Sequence, residues 1–376
     1  MTKEKERAER IELEERMAQS TVDSSGKRSA PKQSLPWSTP PKQRPVQRIL
    51  IIYNPVSGLK KSAKMTQRLE ALLSADGKDV ETLPTEYAWH AADMMERFDL
   101  KQGDVITVVG GDGTLSEVIT GLMRREDRAV EWVTIALVPG GTGNNMARDI
   151  GIADVESAAA AIKHGLAVPF DLAEATYAKG IPESADFDVR EKITTYVACL
   201  LAFGLGVDAN ITAEKLRLLG PLRYDISSLI AILRNKKNPT KIWIDDEEIN
   251  MNVAIILGLN NKTAGHGFMF APFSQVDDGK MDILILPQHG RRATLELFNK
   301  VKAGGKHLYD ESVLYLRANK TIRIETPHPE ALNFDGNNIG STPLEMRILP
   351  KAAHMFINPI LDSKLIPEGS KDQAAS

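Results

Sequence analysis

Three short turns dense in Gly, Asn, Ser and Thr, each directly after an apolar run rich in β-branched residues, constrain this chain more than any other feature. Asn54-Pro55-Val56-Ser57-Gly58 follows Ile49–Tyr53, Gly110-Gly111-Asp112-Gly113-Thr114 follows Val105–Val109, and Pro139-Gly140-Gly141-Thr142-Gly143-Asn144 follows Trp132–Val138. Continuous apolar runs of this length read as strands buried on both faces, which is the condition of a parallel sheet. Helical stretches intervene at Ala63–Leu73, Trp89–Phe98 and Leu115–Arg124, with one more strand near Val80–Leu83. The order implies βαβ units with right-handed crossovers, and loops gathered at the carboxyl ends of the strands. Phosphate needs backbone N–H groups aimed at it from close range. Glycine permits the approach and the positive φ such a cradle is expected to need. None of the three turns has the Walker A pattern or the GxGxxG dinucleotide spacing.

After Asp171 the rhythm changes to strands with few helices, at Thr194–Phe203, Lys241–Ile244, Asn252–Leu259, Met281–Leu286, Leu314–Leu316, Thr321–Ile324 and Leu344–Leu349. The fold class expected is therefore α/β: an N-terminal Rossmann-like nucleotide domain with a parallel sheet, then a second, mainly antiparallel β-rich domain. The boundaries expected are 48–175 and 176–358, flanked by a disordered charged, Pro-rich basic tail over 1–47 and a C-terminal tail over 359–376. From Gly26 to Arg48 there are six basic residues and no acidic one, in a chain whose formal net charge is −3. Such a linker solubilises or meets an anionic surface. No apolar run approaches the roughly 20 residues of a membrane-spanning helix, and the charged amino terminus is no secretory signal. The single Cys199 excludes an intramolecular disulfide and suits a reducing, cytoplasmic setting. Neither Cys199 nor the scattered histidines have ligand spacing, and no nucleic-acid partner is expected.

GGDGT at Gly110–Thr114, continued by Leu115-Ser116-Glu117-Val118, resembles the nucleotide-binding signature of the diacylglycerol kinase catalytic family, which includes bacterial soluble lipid kinases and sphingosine kinases. NPVSG at Asn54–Gly58, PGGTGN at Pro139–Asn144, FGLGVDA at Phe203–Ala209 and DDGKMD at Asp277–Asp282 match in the family's order. NAD kinases share the GGDGT element, but the Asn-Glu pair they place after it is missing. The resemblance implies a kinase dependent on ATP and Mg²⁺, with nucleotide between the domains and lipid bound mainly by the second. Its acceptor would be the hydroxyl of a diacylglycerol-like or sphingoid lipid met at the membrane surface, which makes the protein peripheral there; a homodimer is compatible. A catalytically weak nucleotide- and lipid-binding protein of the same fold, or an NAD kinase, is the alternative.

Nucleotide contact is expected from Asn54, Pro55, Val56, Ser57, Gly58, Thr85, Gly110, Gly111, Asp112, Gly113, Thr114, Glu117, Gly140, Gly141, Thr142, Gly143 and Asn144. Thr85 and Glu117 rest on the resemblance alone. An acid beside a phosphate cradle repels the nucleotide unless a metal or a proton transfer uses it, so Asp112 is a candidate catalytic group; the alternative is a cap of the following helix. Asn144 and Thr142 can donate to phosphate or ribose, or cap the next helix. In the family the DDGKMD turn binds a structural Mg²⁺, which implies Asp278 with the carbonyls of Gln275 and Lys280; oxygen donors suit that hard cation. The family's Asp-Gly-Glu, whose Glu is the proposed base, reads Asp335-Gly336-Asn337 here. An amide takes up no proton at neutral pH, so Asn337 can only orient the hydroxyl, and Asp112 or Asp335 becomes the candidate base. Phe268–Phe273 and Leu216–Tyr224 are candidate apolar lips for lipid entry, with a core role the alternative for each.

Overall fold

A computed structural model describes residues 35–55, 57–182, 184–215, 227, 230–231, 238–265 and 267–358. The tail up to residue 34, Val56, the candidate lip Leu216–Tyr224 and the C-terminal tail from 359 lie outside the described residues. The described residues divide into two compact units: one holds 35–171, 275–278 and 350–358, the other those of 172–274 and 279–349.

The first unit begins with β1 (Lys42–Gln43) and β2 (Arg48–Tyr53), followed by α1 (Ser57–Ser74), β3 (Asp79–Pro84), α2 (His90–Arg97), β4 (Asp104–Gly110), α3 (Asp112–Met123), the short α4 (Ala129–Trp132), β5 (Thr134–Pro139), α5 (Asn145–Asp149), α6 (Val155–His164) and the start of β6 (Leu166–Lys179). β2 pairs in parallel with both β3 and β4, and β4 pairs in parallel with β5. Ile49, Leu50, Ile51 and Ile52 are wholly buried, as are Val105, Ile106 and Val109, which accounts for the uninterrupted apolar runs. Tyr53 lies level with Pro84 and Val109, and Gly110 with Pro139, so the loops that follow these strands leave from one edge of the sheet.

Two expectations for this unit need correction. The disordered tail does not extend to residue 47: Trp37 is buried, Val276 donates its N–H to the Pro36 carbonyl, and Lys42–Gln43 pair with Leu166–Ala167. The carboxylate of Asp277 accepts the amides of Ser38 and Thr39 at 2.5 and 2.6 Å, and the Arg44 guanidinium donates to the Thr134 hydroxyl and the Trp132 carbonyl. A Pro- and Ser-rich composition signals lack of helix and sheet, not lack of packing. The strand expected from Trp132 begins at Thr134, because Ala129–Trp132 form a helical turn.

The second unit takes the rest of β6, then β7 (Asp188–Val197), β8 (Leu200–Gly204), α7 (Leu205–Lys215), β9 (Asn238–Ile244), β10 (Glu247–Leu259), the ribbon β11 (Thr263–Ala264) and β12 (Phe268–Met269), β13 (Met281–Pro287), α8 (Arg291–Lys302), β14 (Leu314–Ala318), β15 (Thr321–Glu325), β16 (Ala331–Phe334) and β17 (Asn337–Phe356), the last running on into the first unit's residues. Its pairings are antiparallel. β10 pairs with β9 over Glu247–Val253 and with β8 beyond it; β17 pairs with β16 at its start and with β15 over Leu344–Arg347. With β8–β16 and β15–β9 pairings added, six strands close a hydrogen-bonded ring. Alternate residues face opposite sides: Phe203, Ile256, Ile283, Ile285 and Phe334 fill the interior, while Ala202, Leu257, Leu284 and Leu286 pack outside against Leu297 and Val301 of α8.

The polar stretch after Lys179 is the turn of the β6–β7 hairpin, with Gly180 at φ 70°. The single strand expected over Thr194–Phe203 is broken at Ala198–Cys199. The Phe268–Phe273 lip is core in its second half: Phe270, Ala271 and Phe273 are buried, because the ribbon folds under α8, while Phe268 and Met269 are half-buried.

Candidate active site

The loops after β4 and β5 meet backbone to backbone. A Cβ on Gly141 would stand 2.5 Å from the Cα of Gly111, and one on Gly110 would stand 2.7 Å from the Thr114 hydroxyl oxygen. Gly140 donates its N–H to the Gly110 carbonyl at 2.9 Å. The positive φ expected of these glycines is absent: none of Gly110, Gly111, Gly113, Gly140, Gly141 and Gly143 has it. Close approach of two loops, not backbone handedness, is what demands glycine here. The left-handed residue is Asn144, at φ 51°, whose side chain accepts the Gly141 N–H at 2.9 Å and donates to the Gly141 carbonyl at 2.8 Å. Its amide closes its own loop, and Asn and Gly are the residue types that tolerate this conformation.

Asp112 joins the two loops. It is the first residue of α3, yet its carboxylate serves the next loop: one oxygen accepts the Asn145 N–H and side-chain amide at 2.9 and 3.0 Å, and the other accepts the Met146 N–H at 3.2 Å. The helix it caps is α5 rather than the one it begins. Asp112 is 9% exposed and lines a small cleft with Gly110, Gly111, Leu115, Leu137, Asn144 and Ala147. The amides of Gly111, Gly113, Thr142 and Gly143 take no hydrogen-bond partner among the described residues. Unpartnered N–H groups on two touching loops are the donor set an anion requires. The exposed Arg148, one helical turn beyond Asn144, returns to the loop and donates to the Gly143 carbonyl at 3.0 Å. Sequence reading missed this cation; the i,i+4 offset on a short helix was its only signal.

The remaining expected residues are placed as follows. Thr85 is buried past β3 and donates its N–H to the Tyr53 carbonyl at 2.8 Å. Asn54 and Pro55 are half-buried at the end of β2, with the Asn54 carbonyl accepting from the Ser62 hydroxyl. Ser57 and Gly58 open α1, their side chains outside the described residues. Glu117 lies on α3 beyond the loop, and its carboxylate accepts the amides of Trp89 and Ala91; burial pushes this carboxyl above its ordinary range, opposed by those two bonds. It holds the start of α2, where Trp89 has φ 69°. Gln275, Asp278 and Lys280 are half-buried members of one turn, and Asp277 between them is spent on Ser38 and Thr39. Among the described residues no three His, Cys, Asp or Glu side chains gather as a metal cluster.

Asp335 and Asn337 belong to the second unit. Asp335 and Gly336, at φ 50° and 90°, make the two-residue turn between β16 and β17, and Asp-Gly is a preferred pair for such a hairpin. The Asp335 carboxylate accepts the amides of Ala198, Cys199 and Leu200 at 2.9, 2.8 and 2.8 Å, and this is what breaks the 194–203 strand. Asp335 is 2% exposed. Taking up a proton would cost it a backbone bond, so its geometry suits an anchor rather than the base expected of it. Asn337 is half-buried at the start of β17, and its side chain has no hydrogen bond among the described residues.

Residues 48–175 match the family described as diacylglycerol kinase catalytic domain, and residues 200–357 match the YegS C-terminal NAD kinase beta sandwich-like domain. The chain is 26% identical to a diacylglycerol kinase of Bacillus subtilis, over 83% of this chain and 97% of that protein. It is 25% identical to sphingosine kinase 1 of Arabidopsis thaliana, over 76% of this chain and 67% of that one. Its fold is that of a diacylglycerol kinase crystal structure from Bacillus anthracis, at a TM-score of 0.63 and 24% identity, covering 84% of this chain and 98% of the other. Two domain matches in the family's order, over a site of two touching glycine loops, show that the chain belongs to the diacylglycerol kinase catalytic family and is a lipid kinase.

Proposed function

We propose that this lipid kinase transfers the γ-phosphoryl group of ATP to the hydroxyl of a diacylglycerol-like or sphingoid lipid. The observation that carries the reading is the pair of glycine loops after β4 and β5, with four unpartnered amides, Arg148 beside them and one carboxylate between them. Phosphoryl transfer asks a protein mainly for position and charge stabilisation. The amides of Gly111, Gly113, Thr142 and Gly143 hold the phosphate oxygens, and Arg148 adds positive charge. The parallel strand order and the loops at one sheet edge support a Rossmann-like reading of this unit.

Mg²⁺ would supply charge neutralisation on the phosphates. The family resemblance assigns a structural ion to the carboxylate of Asp278 with the carbonyls of Gln275 and Lys280, oxygen donors of the kind this hard cation takes. Asp112 lines the cleft beside the open amides and is the carboxylate assigned to face the reacting groups, whereas Asp335 is sealed among its three amides. Asn337 can orient the lipid hydroxyl by hydrogen bonding but cannot accept its proton. General-base help is worth about 10²- to 10⁴-fold, and a loose transition state needs the lower end of it. The same observation favours a second reading, a slow kinase that chiefly binds nucleotide and lipid.

The experiment is to incubate the purified protein with labelled ATP, Mg²⁺ and a panel of diacylglycerols, monoacylglycerols and sphingoid bases. Label in lipid, lost in Asp112→Asn, is the expected result. Tight ATP binding without label in any lipid would favour the second reading.

A further inference from the structure

Helix α8 buries Thr294, Leu297 and Val301 against the outer face of the second unit's sheet. At 100° per residue those three mark the inner side, and a neighbouring stripe runs through Arg291, Leu295, Phe298 and Lys302 at i, i+4, i+7 and i+11. Leu295 is 41% exposed, one of three large apolar side chains so exposed among the described residues. Phe298 is half-buried and meets half-buried Phe268 edge to face at 5.9 Å. The Lys302 ammonium sits over both rings, 5.0 Å from one centroid and 5.7 Å from the other.

On the far side of the helix Arg292 pairs with Glu296, and Lys300 pairs with Asp310. The stripe itself alternates cation and hydrocarbon. Residues 291–306 hold five basic side chains and one acidic, within a chain whose net charge is negative. A cation held over aromatic faces beside an exposed leucine puts charge and hydrocarbon side by side, as at the boundary between headgroups and acyl chains.

We propose that the Arg291–Leu295–Phe298–Lys302 stripe of α8, with Phe268, is the surface by which the protein docks on an anionic lipid bilayer. Leu295 and the two phenylalanines enter the acyl boundary, and Arg291 and Lys302 meet the anionic headgroups. The proposal rests on the lipid-kinase reading for its purpose, and it adds a surface distinct from the glycine loops.

The full chain is sedimented with phosphatidylcholine vesicles and with vesicles that also contain phosphatidylglycerol. Binding to the second is expected, falling as salt rises. Leu295→Glu and Lys302→Glu should each weaken it about ten-fold, the effect of losing one buried leucine or reversing one charge. Turnover of a dissolved short-chain lipid and the melting temperature should stay unchanged. Leu295→Trp should show emission shifted to the blue, relative to wild type, on adding anionic vesicles, and this decides the matter should Leu295→Glu not fold. Unchanged partition of a folded Leu295→Glu, or no shift in Leu295→Trp, would overturn the proposal. So would a Leu295→Glu that turns a dimer into a monomer without altering vesicle binding, since the stripe would then join two copies. Docking through the stripe with no lipid phosphorylated sinks the kinase reading alone; phosphorylation of bilayer lipid with unaltered KM in Leu295→Glu sinks the docking alone.

Discussion

Asp112 and Asp335 make the same kind of contact and belong to opposite kinds of place. Each is a buried carboxylate receiving backbone amides from a distant part of the chain. Asp335 receives three and leaves none of the surrounding amides open; its neighbourhood is sealed, at 2% exposure. Asp112 receives two amides and a side-chain N–H, lines a cleft, and has unpartnered N–H groups on either side of it. A carboxylate is therefore read by what remains unsatisfied around it. The acid alone says little, since sequence made both residues candidates for the same proton.

That contrast can be broken first at Asp335. Asp335→Ala strands three amides in the interior, and hydrogen bonds to a charged group are worth ~1.5–3 kcal/mol each, so a loss of about 4 kcal/mol or more in urea unfolding is expected. A stable, inactive Asp335→Ala would return Asp335 to the chemistry. Asp112→Asn should do the reverse, lowering turnover by about 10²-fold or more while the protein still melts cooperatively, with only one acceptor oxygen lost. Equal turnover in wild type and variant would make Asp112 a second Asp335. A milder probe is Gly141→Ala, whose Cβ must push the two loops apart from a 2.5 Å approach. Overpacking of this kind costs about 1–3 kcal/mol, and the KM for ATP should rise more than kcat falls. The smallest effect is expected from Asn337→Glu, a rise in turnover of a few-fold toward the lower limit of general-base help. No rise would mean that the family's base has no counterpart at this end of the chain.

The parallel strands of the first unit were legible because burial on both faces leaves a run such as Ile49–Tyr53 or Val105–Val109 nothing but apolar residues. Of the two demands expected of glycine in these loops, close approach and positive φ, only close approach is found, and it is between the loops themselves. Other features were hidden because their cause is remote in sequence. The break at Ala198–Cys199 lies inside an unbroken apolar run and is imposed by Asp335, 136 residues away. Trp37 sits in a segment composed like a linker and is buried all the same. The capping alternative for Asp112 named the helix it starts, because only the helix following in sequence was in view, whereas the helix it caps begins at Asn145.

The last described residues carry a consequence for how the protein is made. Met355 pairs with Ile135 at the edge of the first unit's sheet, Ile357 donates its N–H to the Leu166 carbonyl, and Asn358 donates to Ile150. On the ribosome, then, a unit begun at residue 35 waits for some two hundred further residues before its β5 edge is covered, a contact of very high sequence separation. A nascent chain halted after residue 175 would expose an apolar strand edge to its neighbours, so the N-terminal half expressed alone should aggregate where the full chain does not.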